Sequence, residues 1–136
     1  MSEDELELAR SFHGHLGPFL ALGMLIGVRA LEFLRARKYF GVKVVVRCPP
    51  NPPQSCIVDG LQLSTGATYG KRNIELIPSD DIVVEFINTD TGEGIHMLIS
   101  GDTIEKLKGW LNELGDEGAT RMVISCGEEL FELAQR

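Results

Sequence analysis

Two short segments of this 136-residue chain contain residue types that can do chemistry. In the first, residues 12–18, two histidines flank Gly14. In an extended loop the imidazoles of His13 and His15 project to similar sides and can converge on one ion, while the glycine lets the backbone turn. This spacing is common among metal ligands, but the histidines could instead cap the next helix or pack beside Phe12.

A cysteine begins the second segment, residues 56–71. Cys56 follows a proline-rich corner and is predicted at the start of a helix, capped by Ser55, whose N-terminus would stabilise a thiolate. With His13 and His15 it would supply three nitrogen and sulfur ligands and leave one position open, which is typical of catalytic zinc. The alternative is a buried, inert thiol.

Polar residues continue this segment beyond the cysteine. Asp59 and Gln62 follow Cys56 at intervals of three and so share a helix face, which is either a site or a solvated face. The loop after the helix, residues 65–73, could cradle an anionic or carbonyl oxygen through backbone N–H groups and a lysine. We therefore name as catalytic candidates Asp59, Gln62 and Lys71, and as cofactor-binding candidates Thr65, Gly66 and Thr68.

Composition narrows the class of protein. Hydrophobic residues make up 43% and charged residues 24%, which predicts that residues 1–136 fold as a single domain. A net charge of -7 disfavours nucleic-acid binding. The longest apolar stretch is too short and too interrupted to span a membrane, and the acidic N-terminus is unlike a signal peptide, so we expect a cytoplasmic protein.

The three cysteines, Cys48, Cys56 and Cys126, are expected to be free thiols, with core packing the better explanation for the last.

Helices and strands follow from periodicity and turn residues. Helices are predicted over residues 3–10, 18–38, 56–64, 102–114 and 117–135, with Asp102 or Thr103 as a cap and Gly115 as a helix end. Gly127 interrupts the last region, which could therefore be two helices. Strands are predicted over residues 42–47, 74–77, 82–88 and 94–100, the last two forming a hairpin. Gly23 and Gly27 would let the second helix pack closely against a backbone. The order favours an α+β fold with two layers, helices packed on a mainly antiparallel sheet.

The two motifs together resemble the FmdE family, named for one of the subunits of formylmethanofuran dehydrogenase. The resemblance rests on Phe-His-Gly-His-Leu-Gly-Pro at 12–18 and on Cys-Ile-Val-Asp-Gly-Leu-Gln-Leu-Ser-Thr-Gly-Ala-Thr-Tyr-Gly-Lys at 56–71. It implies an α+β domain, a homodimer and a metal pocket, with zinc the expected ion, to which His13, His15 and Cys56 contribute. Many relatives have cysteines where this chain has Gly17 and Ala67, and many carry a C-terminal zinc-binding module that we do not expect here.

The family name also implies a link to one-carbon metabolism in methanogenic archaea, through a molybdenum- or tungsten-dependent enzyme. No pterin cofactor is expected on this chain. Three functions remain open: a metal-binding protein with an open zinc-type site and an unassigned substrate, a non-catalytic accessory component of a larger oxidoreductase, and an anion-binding enzyme without metal.

Overall fold

The computed structural model describes residues 1–135. Four helices are present: α1 (Glu3–His13), α2 (Pro18–Leu34), α3 (Ile57–Thr65) and α4 (Gly101–Cys126). Five strands accompany them: β1 (Val42–Cys48), β2 (Ile74–Pro78), β3 (Ile82–Asn88), β4 (Gly94–Ile99) and β5 (Glu132–Gln135). Short 3-10 turns cover Tyr39–Gly41, Gln54–Cys56 and Gly127–Leu130.

The strands form one sheet in the order β2-β1-β3-β4-β5. β1 and β2 are parallel, and the other three neighbouring pairs are antiparallel. The predicted α+β class with a mainly antiparallel sheet is therefore confirmed. Alternate residues of β3 are buried, as expected for a strand with one face on the core. They pack with apolar side chains of α2 and α3 in one cluster, including Phe19, Leu22, Ile57, Leu61 and Phe86.

Helices α2 and α3 approach each other at glycines. A Cβ atom on Gly23 would lie 2.3 Å from the Ile57 carbonyl oxygen, and one on Gly60 would lie 2.1 Å from the Leu20 carbonyl oxygen. Only glycine fits at either position without moving a backbone. The expectation that α2 packs closely against a backbone is confirmed, and the contact fixes where α3 presents its polar residues.

Several predicted boundaries were wrong. The final helix ends at Cys126, where Gly127 adopts a φ of 58°, and residues 132–135 form β5 because their backbone groups pair with β4. The N-cap of α4 is Ser100, whose hydroxyl accepts from the Thr103 N–H. Ser55 lies inside a 3-10 turn and does not cap α3.

A further difference concerns the end of α2, which stops at Leu34 because Arg35 takes a left-handed conformation and its N–H turns back to the Leu31 and Glu32 carbonyls. Gly115, with φ 73° and ψ -177°, is non-helical and divides α4 into two helices that meet at a kink, so the helix end predicted there is confirmed. Over residues 1–135, no helix is both long and apolar enough to cross a bilayer.

Candidate functional site

His13 forms a close pair with an aspartate of α3. It is the last residue of α1, where Gly14 takes the left-handed cap conformation with φ 98°. Its Nδ1 lies 2.5 Å from Oδ2 of Asp59. Because a carboxylate only accepts, the neutral imidazole carries its proton on Nδ1 and leaves a lone pair on Nε2. That Nε2 is buried and has no hydrogen-bond partner among the described residues.

His15 lies beside His13 and has a similar arrangement. The two ring centroids are 4.7 Å apart, with the planes tilted by 45°. The Nδ1 of His15 lies 2.7 Å from the Leu16 carbonyl oxygen and 3.2 Å from Oδ2 of Asp116. Since both oxygens accept, the proton again belongs on Nδ1 and the lone pair on Nε2. The loop thus presents two neighbouring imidazoles whose Nε2 atoms are not used by these contacts.

Asp116 is the site residue that sequence reasoning missed. It follows Gly115, the residue at which α4 kinks, and this brings its carboxylate to the histidine loop. The predicted break between one helix ending at Gly115 and another starting at Glu117 left Asp116 unassigned. An acidic residue next to a helix-interrupting glycine was the available signal.

Cys56 lies at the start of α3, one helical turn before Asp59, and is partly buried. Its thiol pKa is raised by burial, and the negative charges of Asp59 and Asp116 raise it further. The predicted stabilised thiolate is therefore wrong for the isolated chain, because burial and two carboxylates outweigh the helix N-terminus. All three cysteines are free, as expected, and Cys126 packs partly buried against the core.

The three proposed metal ligands are brought to one region but are not assembled as a complete set. In the part of the chain that the structure describes, no three or more His, Cys, Asp and Glu side chains form a group that could hold a metal ion. The individual chemistry of His13 nevertheless fits a ligand. A metal-binding histidine almost always donates its other ring N–H to a carboxylate, carbonyl or water, and its ligating nitrogen needs a free lone pair.

Gln62 connects the His13 pair to the loop after α3. Its amide nitrogen donates to Oδ1 of Asp59 at 3.4 Å, and its amide oxygen accepts from the Tyr69 N–H at 3.0 Å. The predicted shared face of Asp59 and Gln62 is present. The two side chains contact each other, Asp59 also contacts His13, and Gln62 also contacts the Tyr69 backbone.

Thr65 and Gly66 shape the loop from inside. Thr65 is fully buried; its hydroxyl donates to the Leu61 carbonyl at 2.6 Å and accepts from the Ala67 N–H at 3.1 Å. Gly66 ends α3 with φ 76°, and a Cβ there would lie 2.4 Å from the Tyr39 ring. Both residues therefore position the loop.

Most backbone N–H groups of this loop are already donated internally, which leaves few of them for the expected anion cradle. The residues concerned are Gly66, Ala67, Thr68, Tyr69, Lys71 and Arg72. The Lys71 ammonium lies 3.4 Å from the Thr68 hydroxyl and 5.5 Å from the centre of the Tyr39 ring. No hydrogen bond or ion pair within residues 1–135 joins Lys71 to the histidines or to Asp59.

A well-formed cavity lies away from the histidine site. It measures about 750 Å³ and is lined by α1, α2 and the segment after α4, including Leu8, Met24, Val28, Glu32 and Phe131. None of the proposed site residues lines it. A second cavity, of about 480 Å³, includes Gln62 in its wall.

Comparison with known proteins identifies the class of this chain. The sequence profile described as FmdE, molybdenum formylmethanofuran dehydrogenase operon, matches residues 12–132. The chain belongs to the FmdE family, and the match spans the histidine loop, α3 and Asp116.

Two known proteins are similar to this chain, one in sequence and one in structure. The chain is 26% identical, over 104 residues and 72% of its length, to a protein of Archaeoglobus fulgidus named "Probable S-adenosyl-L-methionine-binding protein". It spans only 27% of that protein. A solved tungsten formylmethanofuran dehydrogenase FmdE-like protein from Syntrophus aciditrophicus superposes with a TM-score of 0.74 and 21% identity, over 98% of this chain and 71% of the other. This likeness supports the fold.

Proposed function

We propose that this FmdE-family protein binds a divalent transition ion through Nε2 of His13, with His15 and Cys56 completing the ligand set. The observation that carries the proposal is the buried, unpartnered Nε2 of His13, whose ring is held on its other side by Asp59. An unpaired polar atom in the interior is costly unless something binds it. Imidazole and thiol donors favour zinc among the common ions.

The chain's own residues have distinct roles in this proposal. Asp59 holds the proton on Nδ1 of His13, and the Leu16 carbonyl, with Asp116 beside it, does the same for His15, which keeps both Nε2 atoms available. Gln62 holds Asp59 in place, while Thr65, Gly66 and Thr68 shape the adjoining loop and Lys71 adds positive charge to it. A bound ion with an open position would supply Lewis-acid chemistry toward a substrate.

Ligand-induced stabilisation tests the proposal. The protein is prepared without chelators or affinity tags and melted over a concentration series of zinc, nickel and cobalt. A metal that binds only the native state raises the melting temperature with concentration. We expect this rise in the unmodified chain and its loss in His13→Ala and Cys56→Ser.

His96 provides the matched control. It also pairs with a carboxylate, since its Nε2 lies 3.1 Å from Oε2 of Glu85. However, it lies in strand β4 and belongs neither to the histidine loop nor to α3. His96→Ala should leave the metal-dependent rise unchanged. An unmodified chain with no rise for any of the three metals would overturn the proposal.

The second candidate function is a non-catalytic accessory component of a molybdenum or tungsten oxidoreductase, without a pterin on this chain. It is supported by the family description, which names a formylmethanofuran dehydrogenase operon. It predicts co-purification with a larger oxidoreductase from the native host and no metal-dependent stabilisation. The homodimer and the cytoplasmic location stay predictions; light scattering of the purified chain tests the first.

A further inference from the structure

The second cavity lies between α3 and the edge strand β2. Its wall includes Val58 and Gln62 of α3, the exposed ring of Tyr69, and the charged side chains of Lys43, Arg72 and Glu75. Gln62 is shared with the site described above, because its amide group bonds both Asp59 and the Tyr69 N–H. A molecule bound in this cavity would therefore lie one side chain away from the Asp59–His13 pair.

The charged residues of the cavity wall are two cations, Lys43 and Arg72, and one carboxylate, Glu75. Between Glu32 and Glu75 the sequence has a single acidic residue, Asp59, although the whole chain carries a net charge of -7. The same stretch holds more than half of the 13 lysines and arginines: Arg35, Arg37, Lys38, Lys43, Arg47, Lys71 and Arg72. An excess of positive charge at a concave surface raises the local concentration of anions.

Two of these cations are available in the cavity wall. Arg37 is engaged by Asp90, with N to O distances of 2.7 and 3.0 Å. By contrast, neither Lys43 nor Arg72 has a carboxylate within 4.0 Å among residues 1–135. The guanidinium carbon of Arg72 instead lies 4.9 Å from the centre of the Tyr69 ring. A ligand oxyanion could thus take both cations without breaking an ion pair.

The backbone at Arg72 is held in an uncommon conformation. Its φ is 60°, a left-handed value that is rare for residues other than glycine and asparagine. The Arg72 N–H is held by the Thr68 and Tyr69 carbonyls, each at 3.1 Å. Backbone strain of this kind persists where surrounding structure over-determines it, and it clusters at ligand sites. Here it sets the position from which the guanidinium reaches the cavity.

We propose that Lys43 and Arg72 bind the carboxylate or phosphate group of a small molecule in this cavity, beside the exposed ring of Tyr69. Most of the loop's N–H groups are used internally, so the recognition falls mainly to these two side chains. The inference rests on the proposed function only in treating the bound molecule as the substrate of the histidine site. Anion binding itself requires no metal.

The test is a titration of the isotope-labelled chain followed by amide NMR shifts. Inorganic phosphate, acetate and benzoate are added separately at constant ionic strength, with chloride as the reference anion. We expect saturable shifts centred on Gln62, Tyr69 and Arg72 for at least one of the three probes. The strongest probe identifies the preferred oxyanion, and tighter binding of benzoate than of acetate reports a contribution from the Tyr69 ring.

Charge-matched variants identify the binding residues. Lys43→Gln and Arg72→Gln should each weaken binding by about fivefold, the effect of losing one exposed ion pair of roughly 1 kcal/mol. Lys106→Gln removes the same charge from α4 and should bind as the unmodified chain does. Arg72→Asn suits the left-handed backbone at this position, so loss of binding there is not a folding effect.

Shifts that do not saturate, or that weaken equally in Lys106→Gln, would overturn the inference. The titration is repeated in His13→Ala to separate the two proposals. Anion binding should survive in this variant, and anion binding by an unmodified chain that takes up no metal refutes the metal proposal alone. Metal uptake without saturable anion shifts refutes the cavity proposal alone.

Discussion

The ring centroids of His13 and His15 lie 4.7 Å apart, and the Nδ1 of each faces an oxygen acceptor, Asp59 for His13 and the Leu16 carbonyl for His15, with Asp116 at 3.2 Å from the latter Nδ1. Asp59 comes from α3 and Asp116 from the kink of α4. The loop is therefore held from two sides, with both Nε2 lone pairs left over. This paired arrangement is the basis of the metal proposal and of the first prediction.

Replacing Asp59 with asparagine should weaken zinc binding by about 10- to 100-fold, as is typical when a carboxylate behind a ligating histidine is lost. The change removes the charge that holds the proton on Nδ1 of His13 while keeping the shape of the side chain. Competition against a coloured zinc chelator measures the affinity. Asp90→Asn, which breaks only the Arg37 ion pair, should leave it unchanged. An Asp59→Asn chain that binds zinc as tightly as the unmodified chain would argue against this role.

Glycine-to-alanine substitutions should have opposite effects on stability at the contact between α2 and α3 and at an open position of α4. Gly60→Ala should lower the free energy of unfolding by about 1–3 kcal/mol, because the new methyl group meets the Leu20 carbonyl at 2.1 Å. Gly109→Ala, in a helical position of α4 with open space around it, should raise it by about 0.5–1 kcal/mol. Urea denaturation compares the two. Equal effects of both substitutions would contradict the close approach.

Cys48 should make stability depend on pH in the alkaline range. Burial raises the pKa of its thiol from 9.0 to about 11. The unfolded chain ionises first, so the free energy of unfolding should fall as pH rises from about 9 to 11, by roughly 2–3 kcal/mol. Below pH 9 the stabilising contribution of the protonated Cys48 thiol is fully present. Denaturation of the unmodified chain and Cys48→Ala at pH 7 and pH 11 isolates it, and parallel pH curves for the two would refute it.

Most of the fold followed from local patterns in the sequence. Residues 82–88 form the predicted strand, and their side chains alternate between buried and partly buried because one face of β3 packs on the core. The C-terminal strand β5 was not predicted from the sequence. Glu132 to Gln135 has no strong strand pattern, and its structure depends on pairing with the edge of β4, which is a long-range contact.

The candidate site, like the fold, was only partly predictable from the sequence. The histidine loop and the face shared by Asp59 and Gln62 are local patterns that the sequence exposes. The contact of His15 with Asp116 joins residues about a hundred positions apart and depends on the kink at Gly115. Lys43 and Arg72 likewise meet at one cavity only because β1 lies beside β2 in the sheet.

Elemental analysis of the purified chain, prepared without chelators or affinity tags, decides whether His13 holds a metal ion. We expect one transition ion per chain, with zinc as the metal, and none in His13→Ala that remains folded by circular dichroism. A folded, unmodified chain without bound metal after dialysis against zinc, nickel and cobalt would contradict this expectation, as would a His13→Ala chain that keeps the full amount.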